Sequence, residues 1–280
     1  MGRCSTTARK TSPNREFDGL TDALHTLGIG AGRVLLVESV ADILVDSDEA
    51  AGEFAGAIRS AIGSTGTLAT PTCTSGEGYP KPTFDPALSP SELGRFSELF
   101  RSLPGVLRSH SPTHSVAALG PGAEKIIAGH RTATGRPTPW GDGPFGIGSP
   151  WDVLASTDAD WLLLDDKWDE SNFPLYVSAL YAEKHAGITK QMPFPRYSGE
   201  ALAQSLRDAG LLRETDWKGH HLAAFRLAPA VAHALGQLET NPEYLQPDSE
   251  FSDWLAKVAA IRDSGYLLAG AARTTITPAV

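Results

Sequence analysis

The chain has 280 residues, 41% of them hydrophobic and 20% charged, enough to bury the core of one large domain or two small ones. Its formal charge of −9 argues against nucleic acid, which binds basic faces, and no run approaches the roughly 18 apolar residues that span a bilayer. Two cysteines, Cys4 and Cys73, make no disulfide framework, so a reducing cytoplasm is the expected compartment.

Residues 1–16 are polar, carry Arg3, Arg9, Lys10 and Arg15, and lack an apolar stretch, so they read as a disordered leader rather than a secretory signal. One α/β domain is expected over 17–280. FDGLTDALHTLGI has helical spacing and is broken by Gly30 and Gly32. RVLLVES is a branched apolar run suited to a strand buried on both faces. Ser47 caps a helix over DEAAGEFAGAIRSAI that Gly63 ends, and GTLATPTCT follows as a second strand. Strand, helix and strand in about 40 residues predict a parallel βαβ unit.

The Thr-, Ser-, Gly- and Pro-rich stretch 72–90 reads as a long loop beside a site, and 91–103 as a helix. SHSPTHSVAALG is a loop entering a strand, and GAEKIIAGH a short helix. Ser149 and Pro150 are the N-cap and first residue of a helix over SPWDVLAS. ADWLLLDD is another buried strand, with its acidic end where ligands sit in open α/β sheets. YVSALYAEKHAG is a helix. Beyond Gly187 the pattern predicts a Pro-rich loop and three helical stretches, the last near 250–262. Together these predict a single domain with a mixed, mainly parallel central sheet flanked by helices.

Five segments in order carry a resemblance: VESV at 37–40, GTLATPTCT at 66–74, FRSLPGVLRSHSPTHSVAALGP at 100–121, PFGIGSPWDVL at 144–154 and WLLLDD at 161–166. Over about 17–187 the chain resembles the aminoglycoside N3-acetyltransferase (antibiotic N-acetyltransferase) family. The resemblance implies transfer of an acetyl group from CoA, or an acyl group from a carrier-borne pantetheine, to an amine of a small cationic substrate, and links the chain to antibiotic resistance or biosynthesis. It leaves open an acyl carrier protein as partner and a homodimer as assembly. No metal, nucleic acid or membrane is implied.

In that family a Val-His-Ser-Ser segment lines the CoA site. The matching tetrad is Val37, Glu38, Ser39 and Val40, so Ser39 and Val40 become candidate cofactor contacts, and Glu38 introduces an acid. Arg108, Ser109 and Ser115 fall on the family's Arg-Ser-x-His-Pro-x-x-Ser segment, where Ser111 replaces the first histidine and His110 stands one position earlier. The family's helical His-x-x-Glu pair is altered. One register places Glu183 on the glutamate and Leu180 on the histidine; another uses Ala179 and Tyr176, and neither restores the usual general base.

Acetyl transfer needs a base with a pKa near neutrality and a donor for the thioester oxyanion. His110, His114 and Glu183 are the candidate bases. Glu38, Asp142, Asp166, Asp169 and Glu170, with Asp165 beside them, are candidates to bind an ammonium group. His220 and His221 lack metal-site spacing and read as structural, and Cys73 as a small buried residue. The acidic residues also fit a CoA-independent enzyme on the same scaffold, or a non-catalytic binder of a cationic small molecule.

Overall fold

A computed structural model describes residues 17–38, 44–74, 84–136, 138, 140, 143–165, 167–184, 199–241 and 244. In it α1 (Leu20–Thr26) leads into β1 (Val34–Glu38), α2 (Asp48–Ile62) and β2 (Thr67–Pro71). Ser47 accepts from the Ala50 N–H and Gly63 closes the helix, as their positions predict. β1 and β2 are parallel, with Val34 beside Thr67. Helix α3 covers Arg95–Arg101, shorter than the 91–103 expectation.

β3 (Leu107–Arg108), β4 (Val116–Leu119), α4 (Ala123–Ile127), α5 (Pro150–Ser156) and β5 (Asp160–Leu164) follow, then α6 (Phe173–Lys184) and α7 (Gly199–Asp208). The tail is β6 (Arg213–Trp217), β7 (His220–Arg226) and α8 (Leu227–Thr240).

The sheet order is β3-β4-β2-β1-β5-β7-β6. A mixed sheet flanked by helices is what the sequence predicts, but "mainly parallel" needs correction. Only β2-β1-β5 at the centre is parallel, and both flanks are antiparallel. Short connections force this: a parallel neighbour needs a crossover of a dozen or more residues, which neither β3–β4 nor β6–β7 has. The hairpin β6–β7 also replaces one of the helical stretches expected after Gly187. Its turn is Lys218-Gly219 with φ of 50° and 85°, the positive pair of a two-residue hairpin loop. The stretch 250–262 and the leader 1–16 lie outside the described residues.

Alternate residues of β5 feed two cores. Trp161 and Leu163 pack with α5, α6, α7 and α8 through Trp151, Tyr176, Leu202 and Leu238. Leu162 and Leu164 pack with α1, α2 and α3 through Leu24, Phe54, Ile58 and Phe96. The period of two in the strand thus becomes a three-layer stack. α6 buries residues all round, including Phe173, Tyr176, Val177 and Tyr181, so it carries no solvent stripe.

Candidate active site

β1 and β5 are adjacent and parallel, yet their onward connections leave in opposite directions, β1 toward β2 and β5 toward β7. The C-terminal ends of these strands therefore flank a topological switch point, where open α/β sheets bind ligands. A small cleft opens there, lined by Glu38, Thr70 and Pro71 from the strand ends, Leu93 and Ser97 near α3, and Glu170 and Asn172 after β5.

Glu38 forms the floor as a buried hub. One carboxylate oxygen accepts from the Trp161 indole at 2.9 Å and the Ser171 hydroxyl at 2.6 Å. The other accepts from the Asn172 backbone N–H at 2.9 Å and its side-chain amide at 2.6 Å. Burial raises its pKa, and the four donors oppose that rise. The acid expected to bind substrate thus pins the post-β5 segment to β1, because a buried carboxylate must collect donors.

The other acidic candidates have separate positions. Glu170 is exposed on the cleft rim, 3.6 Å from Lys167. Asp169 accepts from the Gly199 N–H at 2.7 Å and so caps α7. The approach is close: a Cβ on Gly199 would lie 2.5 Å from both Asp169 Oδ1 and Trp168 Cβ. Asp165 turns the chain at φ 57°, and its carboxylate accepts from His220 Nδ1 at 2.9 Å and the His221 N–H at 3.2 Å. Ser39, Val40, Asp142 and Asp166 lie outside the described residues.

Arg108, the expected cofactor contact, is engaged by its own chain. Its guanidinium donates to the Thr72 and Ser89 carbonyls, to Thr74 Oγ1 at 3.0 Å, and to Thr72 Oγ1 and Ser115 Oγ, each at 3.1 Å. Burial, with Arg101 nearby, lowers its pKa to about 10. Ser115 donates to the Thr72 carbonyl at 2.7 Å. Ser109 donates to His130 Nδ1 at 2.8 Å and accepts the Val116 N–H. His130 Nε2 donates to the Pro144 carbonyl at 3.1 Å, which fixes its tautomer.

The three candidate bases lie in unlike surroundings. His114 is buried against Trp140 and Phe145, with ring centroids 4.5 and 4.6 Å away, and its Nδ1 has no hydrogen-bond partner among the described residues. Burial, then the neighbouring His130, pushes its pKa down to about 3. Such an imidazole accepts protons weakly at neutral pH. His110 is half-buried beside Phe84, and burial, then Arg131, lowers its pKa. Glu183 is held at 2.6 Å by Arg136, which also pairs with Asp152 at 2.7 Å and lies over the Tyr176 ring. A carboxylate locked to a guanidinium is a poor proton acceptor. The structure thus distributes the expected site residues over three clusters: the Glu38–Glu170 cleft, the Arg108–Ser115–His130 loop cluster and the Arg136–Glu183 pair.

Sequence reasoning missed Arg136, His130, Trp161, Ser171 and Asn172. His130 carried no local signal, since its partners lie 21 and 14 residues away. Trp161 and Asn172 could have been found only by asking what satisfies a buried glutamate at the end of β1.

Comparison with known proteins supports a transferase. The family model for aminoglycoside 3-N-acetyltransferase matches residues 36–174. The chain is 34% identical over 242 residues to aminoglycoside N(3)-acetyltransferase IV from a Salmonella species, covering 80% of this chain and 87% of that protein. It is 32% identical over 162 residues to the type VIII enzyme of Streptomyces fradiae, covering 50% and 52%. Among solved structures, a histidine mutant of aminoglycoside acetyltransferase AAC(3)-IVa in complex with a gentamicin superposes with a TM-score of 0.67 at 26% identity, over 86% of this chain and 95% of that one. The fold also matches AAC-IIIb in a binary complex with CoASH, at TM-score 0.63 and 19% identity, over 82% and 97%. The fold and the matches define an α/β acyltransferase. Within that class, the chain belongs to the aminoglycoside N(3)-acetyltransferase family.

Proposed function

We propose that this chain transfers an acyl group from CoA to an amine of a small cationic substrate of the aminoglycoside type, and that the amine enters the cleft at the ends of β1, β2 and β5. The observation that carries this reading is the acidic lining, Glu38 on the floor and Glu170 on the rim, at the switch point of a fold shared with a gentamicin-bound relative. Those carboxylates suit an ammonium group and repel a pyrophosphate, so they fit the acceptor rather than the anionic half of CoA. A thioester would then have to approach from the side of the loop after β1. Of the candidate contacts there, Ser115 and Arg108 fix Thr72 and the end of β2.

The test is direct. The purified chain is mixed with acetyl-CoA and a panel of aminoglycosides, and free thiol release and product mass are followed. Acceptor-dependent thiol release with an acetylated product is expected. Tight binding of the amine with no thiol release would favour the competing reading, a binder of cationic small molecules, for which the acidic cleft alone suffices. Absence of both would overturn the proposal.

A further inference from the structure

At the same sheet edge, two strands from Glu38, lies a proton acceptor that the family's helical pair does not supply. We infer that His220, held by Asp165, is the general base that takes the proton from the attacking amine. This rests on the acyl-transfer reading above.

The argument begins with the backbone. Asp165 follows β5 in the left-handed region, φ 57°, which Asp tolerates better than most residues. Its own N–H donates to the His221 carbonyl at 2.8 Å, closing the ladder and turning its carboxylate back onto β7. There it lies 2.9 and 3.1 Å from His220 Nδ1. A carboxylate only accepts, so Nδ1 carries the hydrogen and Nε2 keeps its lone pair. Among the described residues, Nε2 has no hydrogen-bond partner, and the side chain is partly open to solvent.

An imidazole with one nitrogen fixed by a carboxylate and the other free is the arrangement a general base requires. His221, the next residue, is engaged at both nitrogens, by Asp216 at 3.1 Å and Glu214 at 3.3 Å.

Position supports the same role. β1, β5 and β7 are consecutive in the sheet, so His220 lies about 10 Å along the edge from Glu38, two strand spacings away. An amine-rich sugar with one ammonium against Glu170 can place a second amine at that distance. The groups facing the ring are Asp165 from β5, the Trp217 ring at 6.0 Å from β6, and Lys218 in the hairpin turn; Asp18 lies beyond Trp217.

In the step, the amine nitrogen attacks the thioester carbonyl carbon while His220 Nε2 takes one of its protons. The N–C bond forms and the C–S bond breaks, with its electron pair going to sulfur. The imidazolium then returns the proton to the thiolate, giving amide, free thiol and neutral His220. Atoms and charge balance, and no further reactant is needed.

The experiment compares wild type, H220Q, D165N and H221Q by steady-state acetyl transfer across pH, with thermal melts as the folding control. H220Q should lower kcat at least about 100-fold, with KM for the amine little changed, and should remove the acid limb of kcat/KM. D165N should lower kcat less and shift that limb, and H221Q should keep wild-type kcat. If H220Q does not fold, H220N is read on the same limb. An active wild type with kcat and acid limb retained in the His220 variants overturns the inference and leaves the acyl-transfer reading standing. A wild type that transfers nothing overturns that reading and this inference with it.

Discussion

The two ends of β5 carry carboxylates of opposite character. At the start of the strand, Asp160 is fully buried and clamped by Arg33 at 2.6 Å and Arg213 at 2.8 Å. Just past its end, Asp165 holds a single imidazole whose outer nitrogen has no partner among the described residues. The first group is saturated: two guanidiniums meet both oxygens, and nothing remains with which to do chemistry. The second has spare capacity at the sheet edge that also carries Glu38 and Glu170. One strand therefore separates a structural end from a reactive end. A charged group's role is read from what its partners leave free, not from its charge.

The sharpest way to break this contrast is at the structural end. Removing Asp160 leaves two guanidiniums partly buried without their counter-charge. D160A should therefore cost about 3–5 kcal/mol of stability, the usual loss when one partner of a buried ion pair is deleted. Urea unfolding monitored by tryptophan fluorescence would show this as a lower midpoint at unchanged slope. A loss under about 1 kcal/mol would show that the clamp is not structural.

A smaller effect comes from the loop cluster, where burial keeps His114 and His130 neutral, each with its pKa pushed down to about 3. The unfolded chain takes up these protons near the ordinary histidine pKa of about 6.5. Between about 6.5 and 3 the folded state binds fewer protons, so stability falls as pH drops through that window and is fully present above it. Linkage gives a loss of about 2 kcal/mol for each histidine at pH 5 relative to pH 7. H114F keeps the aromatic packing, removes the unpartnered Nδ1 and should roughly halve that loss. Melting curves at both pH values would decide it, and an unaltered acid loss in H114F would place the sensitivity elsewhere.

Much of the scaffold was legible because its signals are local. Ser47 and Ser149 fixed two helix starts, and the runs at 34–38 and 160–164 marked the central strands. The flanks were not. In LRETDWKGHHLAAF the Lys218-Gly219 turn was available as a hairpin signal, but the apolar run that follows also fits a helix, and only pairing with β5 decides. The site was legible as residue types and not as partnerships. Glu183 and His114 stand out in the sequence, yet Arg136 and the Trp140–Phe145 pair that set their behaviour are distant in the chain. His220 looked structural for the same reason, since its carboxylate lies 55 residues away. Glu38 looked like a substrate ligand because nothing nearby announced its four donors.

The finest test of the contrast uses two adjacent carboxylates after β5. Asp169 faces inward and caps α7 through the Gly199 N–H, whereas Glu170 is exposed on the cleft rim, with Lys167 its ion-pair partner among the described residues. D169A should cost about 1 kcal/mol of stability, as loss of an N-cap acceptor does, and leave KM for the amine unchanged. E170Q should do the reverse. Stability stays within about 0.5 kcal/mol, as for other surface changes, while KM for a polycationic amine rises severalfold. That rise should shrink with added salt, because a rim charge acts through solvent over little more than a Debye length of about 8–10 Å. If D169A raises KM and E170Q does not, the amine lies against the helix cap instead, and the reactive edge must be redrawn around α7.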